Sequence, residues 1–176
     1  MREPNRPFTV LVADDDADDR FLIRKGWPLR GDGDALRFVD DGEELLDYLY
    51  RRGRYAEPDC APSPGLILLD LNMPRKGGRE VLQEISRHPG LRAIPVVVLT
   101  TSQAEEDVAF CYGTGANSYI AKPVSFNTLR EILGKIADYW LQLVELPERG
   151  FGACPAESSA KDPIDDRISS NESGWN

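Results

Sequence analysis

At 176 residues, with 41% hydrophobic and 29% charged content, the chain has room for one domain with a proper core. Its net charge of −9, from 30 Asp and Glu against 21 Lys and Arg, argues against a nucleic-acid binder, whose affinity for phosphates rests on Lys and Arg. No apolar run approaches the ~20 residues of a membrane span, and MREPNRPF lacks a signal-peptide core, so no membrane partner is expected and the chain is placed in the cytoplasm.

Apolar runs of strand length alternate with helix-period segments. The first strand, β1, is FTVLVA (8–13), and it runs straight into DDDADD (14–19). Helix α1 follows over 18–27 with Phe21, Leu22 and Ile23. Next come β2, ALRFV (35–39), and α2 (42–51), with Leu45, Leu46 and Leu49. RRGRYAEPDCAPSP (51–64) is a Pro-rich insertion, long for a loop and therefore expected to be mobile or functional. β3 is GLILLD (65–70), α3 (79–88) presents Val81, Leu82 and Ile85, and β4 is IPVVVLT (94–100). α4 (104–114) carries Val108 and Ala109, and β5 is NSYIAK (117–122). The longest helix, α5 (125–145), places Phe126, Leu129, Ile132, Leu133, Ile136, Trp140 and Leu143 at helical spacing. LILL and VVVL are continuous rather than alternating, as in strands buried on both faces of a parallel sheet. Five successive βα units predict an α/β doubly wound fold with a five-stranded parallel sheet, occupying residues 1–146. From Pro147 to Asn176 there is no apolar period, and a disordered tail is expected.

Ligands of open parallel sheets collect at the carboxyl ends of the strands. Asp14 and Asp15 follow β1, Asp70 ends β3, Thr100 ends β4 and Lys122 ends β5. Three carboxylates, a hydroxyl and an ammonium therefore converge on one sheet edge. Such a carboxylate set suits a hard divalent cation, magnesium foremost. Asp16, Asp18 and Asp19 read instead as the N-cap and first-turn acids of α1, favoured by its dipole.

These motifs carry a resemblance. DD after β1, DLNMP (70–74) with Gly78 beyond it, TTS (100–102) and YIAKP (119–123) resemble the receiver domain of two-component response regulators, which has a flavodoxin-like, CheY-like (βα)5 fold. The match covers roughly residues 7–145. The 51–64 insertion and HPGLRAIPVVVLTTS (88–102) further resemble the single-domain regulators paired with phytochrome-type histidine kinases. The resemblance implies that Asp70 is the phosphoacceptor, taking a phosphoryl group from a kinase phosphohistidine. Asp15 and Asp70 would ligate Mg2+ directly, Asp14 through water, and Asn72 through its backbone carbonyl. Lys122 and Thr100 would contact phosphoryl oxygens, and Tyr119 would turn inward as a switch. A cis Lys122–Pro123 peptide and a homodimer through the α4–β5–α5 face are implied as well. The far end of α5 agrees with the latter, because Tyr139, Trp140, Leu143, Val144 and Leu146 are too many apolar positions for one stripe.

Other readings fit the residues less well. Asp14-x-Asp16 after a strand also resembles dehalogenase-type phosphohydrolases, but Asp18 stands where those enzymes need Thr or Val. A calcium loop over 14–25 fails at Asp19, where Gly is required, and at Lys25, where Glu is required. His88 has no nucleophile in its motif and reads as structural. Trp27, Trp140 and Trp175 read as packing or tail residues, and Arg51, Arg52 and Arg54 as a solvated helix end or a partner patch. Cys60, Cys111 and Cys154 are widely spaced with no CxxC and read as reduced thiols. There is no ATP-binding motif, so a kinase is not expected; the resemblance implies a phosphoacceptor rather than an enzyme, signalling through its own surface. A receiver-like binding module that never accepts phosphate is the alternative; the complete residue set favours the active form.

Overall fold

The computed structural model describes residues 8–28, 35–57 and 60–146. The segment from Pro147 onward, including Cys154 and Trp175, lies outside the described residues. So do residues 58–59 of the insertion.

Five strands form one parallel sheet in the order β2-β1-β3-β4-β5. They are β1 (Thr9–Ala13), β2 (Ala35–Val39), β3 (Leu66–Leu69), β4 (Val96–Thr100) and β5 (Ser118–Ala121). The helices are α1 (Ala17–Gly26), α2 (Gly42–Tyr50), α3 (Gly78–Arg87), α4 (Glu105–Thr114) and α5 (Phe126–Ala137). The expected doubly wound architecture is therefore the observed one.

Every residue of the three central strands is buried, and alternate side chains serve opposite faces. Leu11, Ile67, Leu69, Val96 and Val98 enter the core under α2, α3 and α4. Val10, Val12, Leu66, Leu68, Val97 and Leu99 enter the core under α1 and α5. This two-sided burial is why LILL and VVVL are unbroken apolar runs. The edge strands β2 and β5 are only partly buried.

Helix starts follow local chemistry. Asp16 caps α1 by accepting from the Asp18 and Asp19 N–H groups at 2.8 and 3.4 Å. Asp41 caps α2, accepting from the Glu44 N–H at 2.9 Å, while Glu44 reaches back to accept from the Asp40 N–H at 2.7 Å. Those orphan amides have no partner inside the helix, and the caps supply one.

The insertion after α2 is held rather than loose in its described part. Tyr55 is buried in a short 3-10 turn, Gly53–Tyr55, with its ring centroid 5.0 Å from that of Tyr48. The Tyr48 hydroxyl donates to the Pro62 carbonyl at 2.8 Å, and the Tyr55 hydroxyl donates to Glu44 Oε1 at 2.8 Å. Of the arginine cluster, Arg52 stacks over Tyr50 and Arg54 over Tyr55, and Arg54 also pairs with Glu44. His88 caps α3, accepts from the Gly90 N–H at 3.2 Å and lies edge-on to Tyr50, in keeping with a structural residue.

Two expectations need correction. The long helix expected over 125–145 is α-helical only to Ala137 and widens into a π-helical segment, Asp138–Leu143. The Val144 N–H accordingly bonds the Tyr139 carbonyl, five residues back, at 3.0 Å. The apolar cluster at this end also divides. Leu141 is buried, and Trp140 and Leu146 pack against the α1–α5 core, whereas Tyr139 (49%) and Leu143 (73%) stay exposed.

The second correction concerns Lys122–Pro123. The peptide bonds of the described residues are all trans, this one included. Trans is intrinsically preferred before proline by about 0.5–1 kcal/mol. With the trans bond the Lys122 ammonium already hydrogen-bonds two carboxylates at 2.7 Å, so aiming it does not require the cis form.

Candidate phosphoacceptor site

The strand ends deliver the site. Past β1, the Asp14 N–H continues the ladder by donating to the Val39 carbonyl at 3.2 Å. Past β3, the Asp70 N–H donates to the Ala13 carbonyl at 2.9 Å, which sets Asp70 beside Asp14. Past β5, the Lys122 N–H donates to the Thr100 carbonyl at 2.7 Å and fixes the lysine to the end of β4. The parallel register therefore gathers residues that are far apart in sequence at one edge.

Asp14, Asp70 and Thr100 are among the few buried polar residues, at 2%, 6% and 0% exposure. Asp14 Oδ1 accepts from the Asp16 N–H at 3.0 Å and Oδ2 from Lys122 Nζ at 2.7 Å. Arg20 Nη1 donates to the Asp14 carbonyl at 2.6 Å and pairs with Asp40 at 3.3 Å, steadying the β1–α1 turn. Asp70 Oδ1 accepts from the Leu71 N–H at 2.8 Å. Its other oxygen, Oδ2, faces Lys122 Nζ at 3.7 Å. Asp15 is exposed, and carboxylate oxygens of Asp14, Asp15 and Asp70 all lie within 4.8 Å of one another.

The charges are unbalanced. Burial pushes the Asp14 carboxyl up to about 6, and the Lys122 hydrogen bond and charge only partly offset this while Asp70 adds repulsion. Burial on its own would lower Lys122, but the hydrogen bonds to Asp14 and Asp19 and the nearby carboxylate charges raise it overall. One ammonium is shared by several carboxylates. Hard oxygen donors in excess of positive charge, close enough to share one ion, are the donor set of a divalent-cation site.

The loop after Asp70 is clamped. The Gly78 N–H donates to the Leu71 carbonyl at 3.0 Å, and a Cβ on Gly78 would stand 2.2 Å from the Asp70 carbonyl oxygen. The Gly42 N–H donates to the Lys76 carbonyl at 3.2 Å. Arg75, at φ 62°, pairs with the buried Asp41. Asn72 lies in this loop with its residue surface exposed.

On the other side, Thr100 Oγ1 accepts from the Ser102 N–H at 3.4 Å, and the Tyr119 hydroxyl donates to the Ser102 carbonyl at 3.0 Å. Ser102 Oγ donates to Asp107, which also pairs with Arg79 on α3. Tyr119 is part-buried against the α2–α4 core.

The structure thus brings together Asp14, Asp15, Asp70 and Lys122 at the strand ends, with Thr100 and Tyr119 joined through the next loop. It also brings in Asp19, a helix-start acid by its sequence position: its Oδ2 accepts from Lys122 Nζ at 2.7 Å. A signal was present. Helical side chains tilt toward the helix N-terminus, so a first-turn residue of α1 leans back toward the strand ends.

Comparison with known proteins agrees with this geometry. Residues 10–134 match the response regulator receiver domain model. Response regulator Rcp1 of Synechocystis is 39% identical over 145 residues, covering 82% of this chain and 97% of the relative. The phosphorylated cyanobacterial phytochrome response regulator RcpA superposes with a TM-score of 0.76 at 39% identity, covering 81% of this chain and 99% of that one. The Mn(2+)-bound form of Rcp1 superposes with a TM-score of 0.73 at 38% identity, over 80% of this chain and 99% of that one. Five parallel strands in the order 2-1-3-4-5, an acidic strand-end cluster beside one lysine, and these relatives identify the chain as a member of the response regulator receiver domain family.

Proposed function

We propose that Asp70 is the phosphoacceptor of this receiver domain and that the chain acts as a signalling protein rather than as an enzyme with a separate substrate. The observation that carries the reading is the Asp70 carboxylate itself. One oxygen is held by the Leu71 N–H, and the other faces Lys122 at 3.7 Å beside a three-carboxylate cluster. In the transfer, an Asp70 oxygen forms a bond to phosphorus as the P–N bond of a kinase phosphohistidine breaks. The electron pair of that bond leaves with the imidazole nitrogen. Lys122 and the Thr100 hydroxyl meet the charge on the phosphoryl oxygens, a task that requires fixed donors and little other chemistry from the protein.

Mg2+ is the cation we assign; Asp15 and Asp70 would hold it directly, Asp14 through water, and Asn72 through its backbone carbonyl. The oxygen donor set and the Mn(2+)-bound form of the relative Rcp1 support a divalent ion there. When bound, the ion supplies charge neutralisation between carboxylate and phosphoryl oxygens. The phosphohistidine donor we infer is a histidine kinase of the phytochrome type, in line with the phytochrome regulators among the similar structures. The output runs through the chain's own α4–β5–α5 face, as a homodimer.

The test is transfer from a radiolabelled phytochrome-type histidine kinase in the presence of magnesium. Label should pass from the kinase to the wild-type chain and remain on the kinase when Asp70→Asn is the acceptor. Equal transfer to both would refute the assignment.

A further inference from the structure

Asp19 lies outside the residues given a role in metal or phosphoryl binding, yet its geometry places it on the reacting lysine. Its Oδ2 is 2.7 Å from Lys122 Nζ, the same distance as Asp14 Oδ2, while Asp70 Oδ2 stands off at 3.7 Å. The Lys122 side chain is only 9% exposed, so water does little to dilute the competition among these carboxylates. An ammonium offers three donors, and two are committed before any phosphoryl group arrives.

We propose that Asp19 is a positioning residue that holds Lys122 back from Asp70 and competes with the phosphoryl group for its ammonium. The inference rests on the reading of Asp70 as phosphoacceptor and Lys122 as its counter-charge. The third donor is left for a phosphoryl oxygen on Asp70, and a shift of the ammonium toward that oxygen, from its present 3.7 Å stand-off, lengthens one of the two carboxylate bonds it now makes. Asp14 is buried and pinned through its other oxygen by the Asp16 N–H. Asp19 is 31% exposed and can turn its carboxylate to water. The Asp19 bond is therefore the one that opens on phosphorylation and closes again on return. Asp19→Asn keeps the size and one acceptor oxygen but removes the charge, so the resting grip weakens.

The experiment uses the full chain at saturating magnesium, with beryllofluoride titration and the lifetime of the acetyl-phosphate-labelled form as readouts. Asp19→Asn should bind beryllofluoride on the order of three- to tenfold more tightly and hold its phosphoryl group longer. Asp19→Glu should return both readouts toward wild type. A residue that merely starts α1 would change thermal stability and neither readout. In a Lys122→Met background the Asp19→Asn effect should vanish, because the two act through one contact. A labelled wild type with an unchanged Asp19→Asn, or an effect that survives Lys122→Met, overturns this inference alone. A wild type that takes no phosphoryl group on Asp70 overturns the phosphoacceptor reading and the inference with it.

Discussion

The Tyr119 hydroxyl donates to the Ser102 carbonyl at 3.0 Å, tying the aromatic residue of β5 to the loop that leaves Thr100. Ser102 also donates to Asp107 and receives the approach of Arg79 through it. The segment 100–102 therefore has one defined arrangement, held from β5 and from α3. In the switch proposed for Thr100 and Tyr119, movement of Thr100 toward a phosphoryl group would break or carry the Tyr119 bond, as expected of a two-state element biased from the site. Beryllofluoride with magnesium should shift the Tyr119 ring resonances in NMR spectra of the wild type. Identical ring environments with and without the mimic would count against the switch.

Gly78 sets how closely α3 starts against the end of β3. A Cβ there would lie 2.2 Å from the Asp70 carbonyl oxygen and 2.8 Å from the Leu71 Cα. Both neighbours are backbone and cannot swing aside. Gly78→Ala should lower stability by about 1–3 kcal/mol and weaken phosphoryl uptake together, since the shift is carried by Asp70 itself. Urea unfolding and acetyl phosphate labelling check the pair of effects; a change in neither would contradict the close-approach argument.

The insertion after α2 hangs partly on Tyr48, whose hydroxyl donates to the Pro62 carbonyl at 2.8 Å. Tyr48→Phe should cost about 0.5–1.5 kcal/mol and increase amide exchange in residues 60–64. Burial pushes the Tyr48 hydroxyl up to about 12 from its ordinary 10. The folded state thus holds this proton more tightly than the unfolded chain. Its contribution is fully present below pH 10 and is lost as the pH rises toward 12. Tyrosinate absorbance should lose a late-titrating step in Tyr48→Phe.

For the proposed homodimer, Leu143 is the cleanest probe because it is 73% exposed and its loss leaves the monomer core intact. Trp140 is a poorer one, since it packs against the chain's own core. Sedimentation of the full chain should give a dimer that Leu143→Asp weakens by about tenfold, in the range of one well-packed apolar contact turned into a buried charge. A monomer at high micromolar concentration, with or without beryllofluoride, would defeat the dimer.

Much of this architecture was legible in the residues because burial on two faces leaves a direct mark. FTVLVA, LILL and VVVL become β1, β3 and β4 because a central parallel strand has no polar side. The strand-end rule then locates Asp14, Asp70, Thr100 and Lys122 at one edge from the sequence alone. What escaped depends on contacts that local pattern does not encode. Asp19 satisfies helix-start chemistry so well that nothing in its neighbourhood demanded a second partner 103 positions away. The insertion reads as mobile or functional because it is long and Pro-rich, yet two tyrosines pin its described part through hydroxyls that composition cannot reveal. The widened turn at Asp138–Leu143 breaks the 3.6 period only after Ala137, so the apolar spacing of 125–145 reads as one helix.

The most direct test of the phosphoacceptor claim is intact-mass measurement after incubation with acetyl phosphate and magnesium. The account predicts one added phosphoryl group on the wild type, none on Asp70→Asn, and loss of the increment when magnesium is chelated beforehand. Asparagine fails because its amide is a far poorer nucleophile toward phosphorus than a carboxylate. Stoichiometric labelling that persists in Asp70→Asn, or a wild type that gains no mass at all, would contradict it.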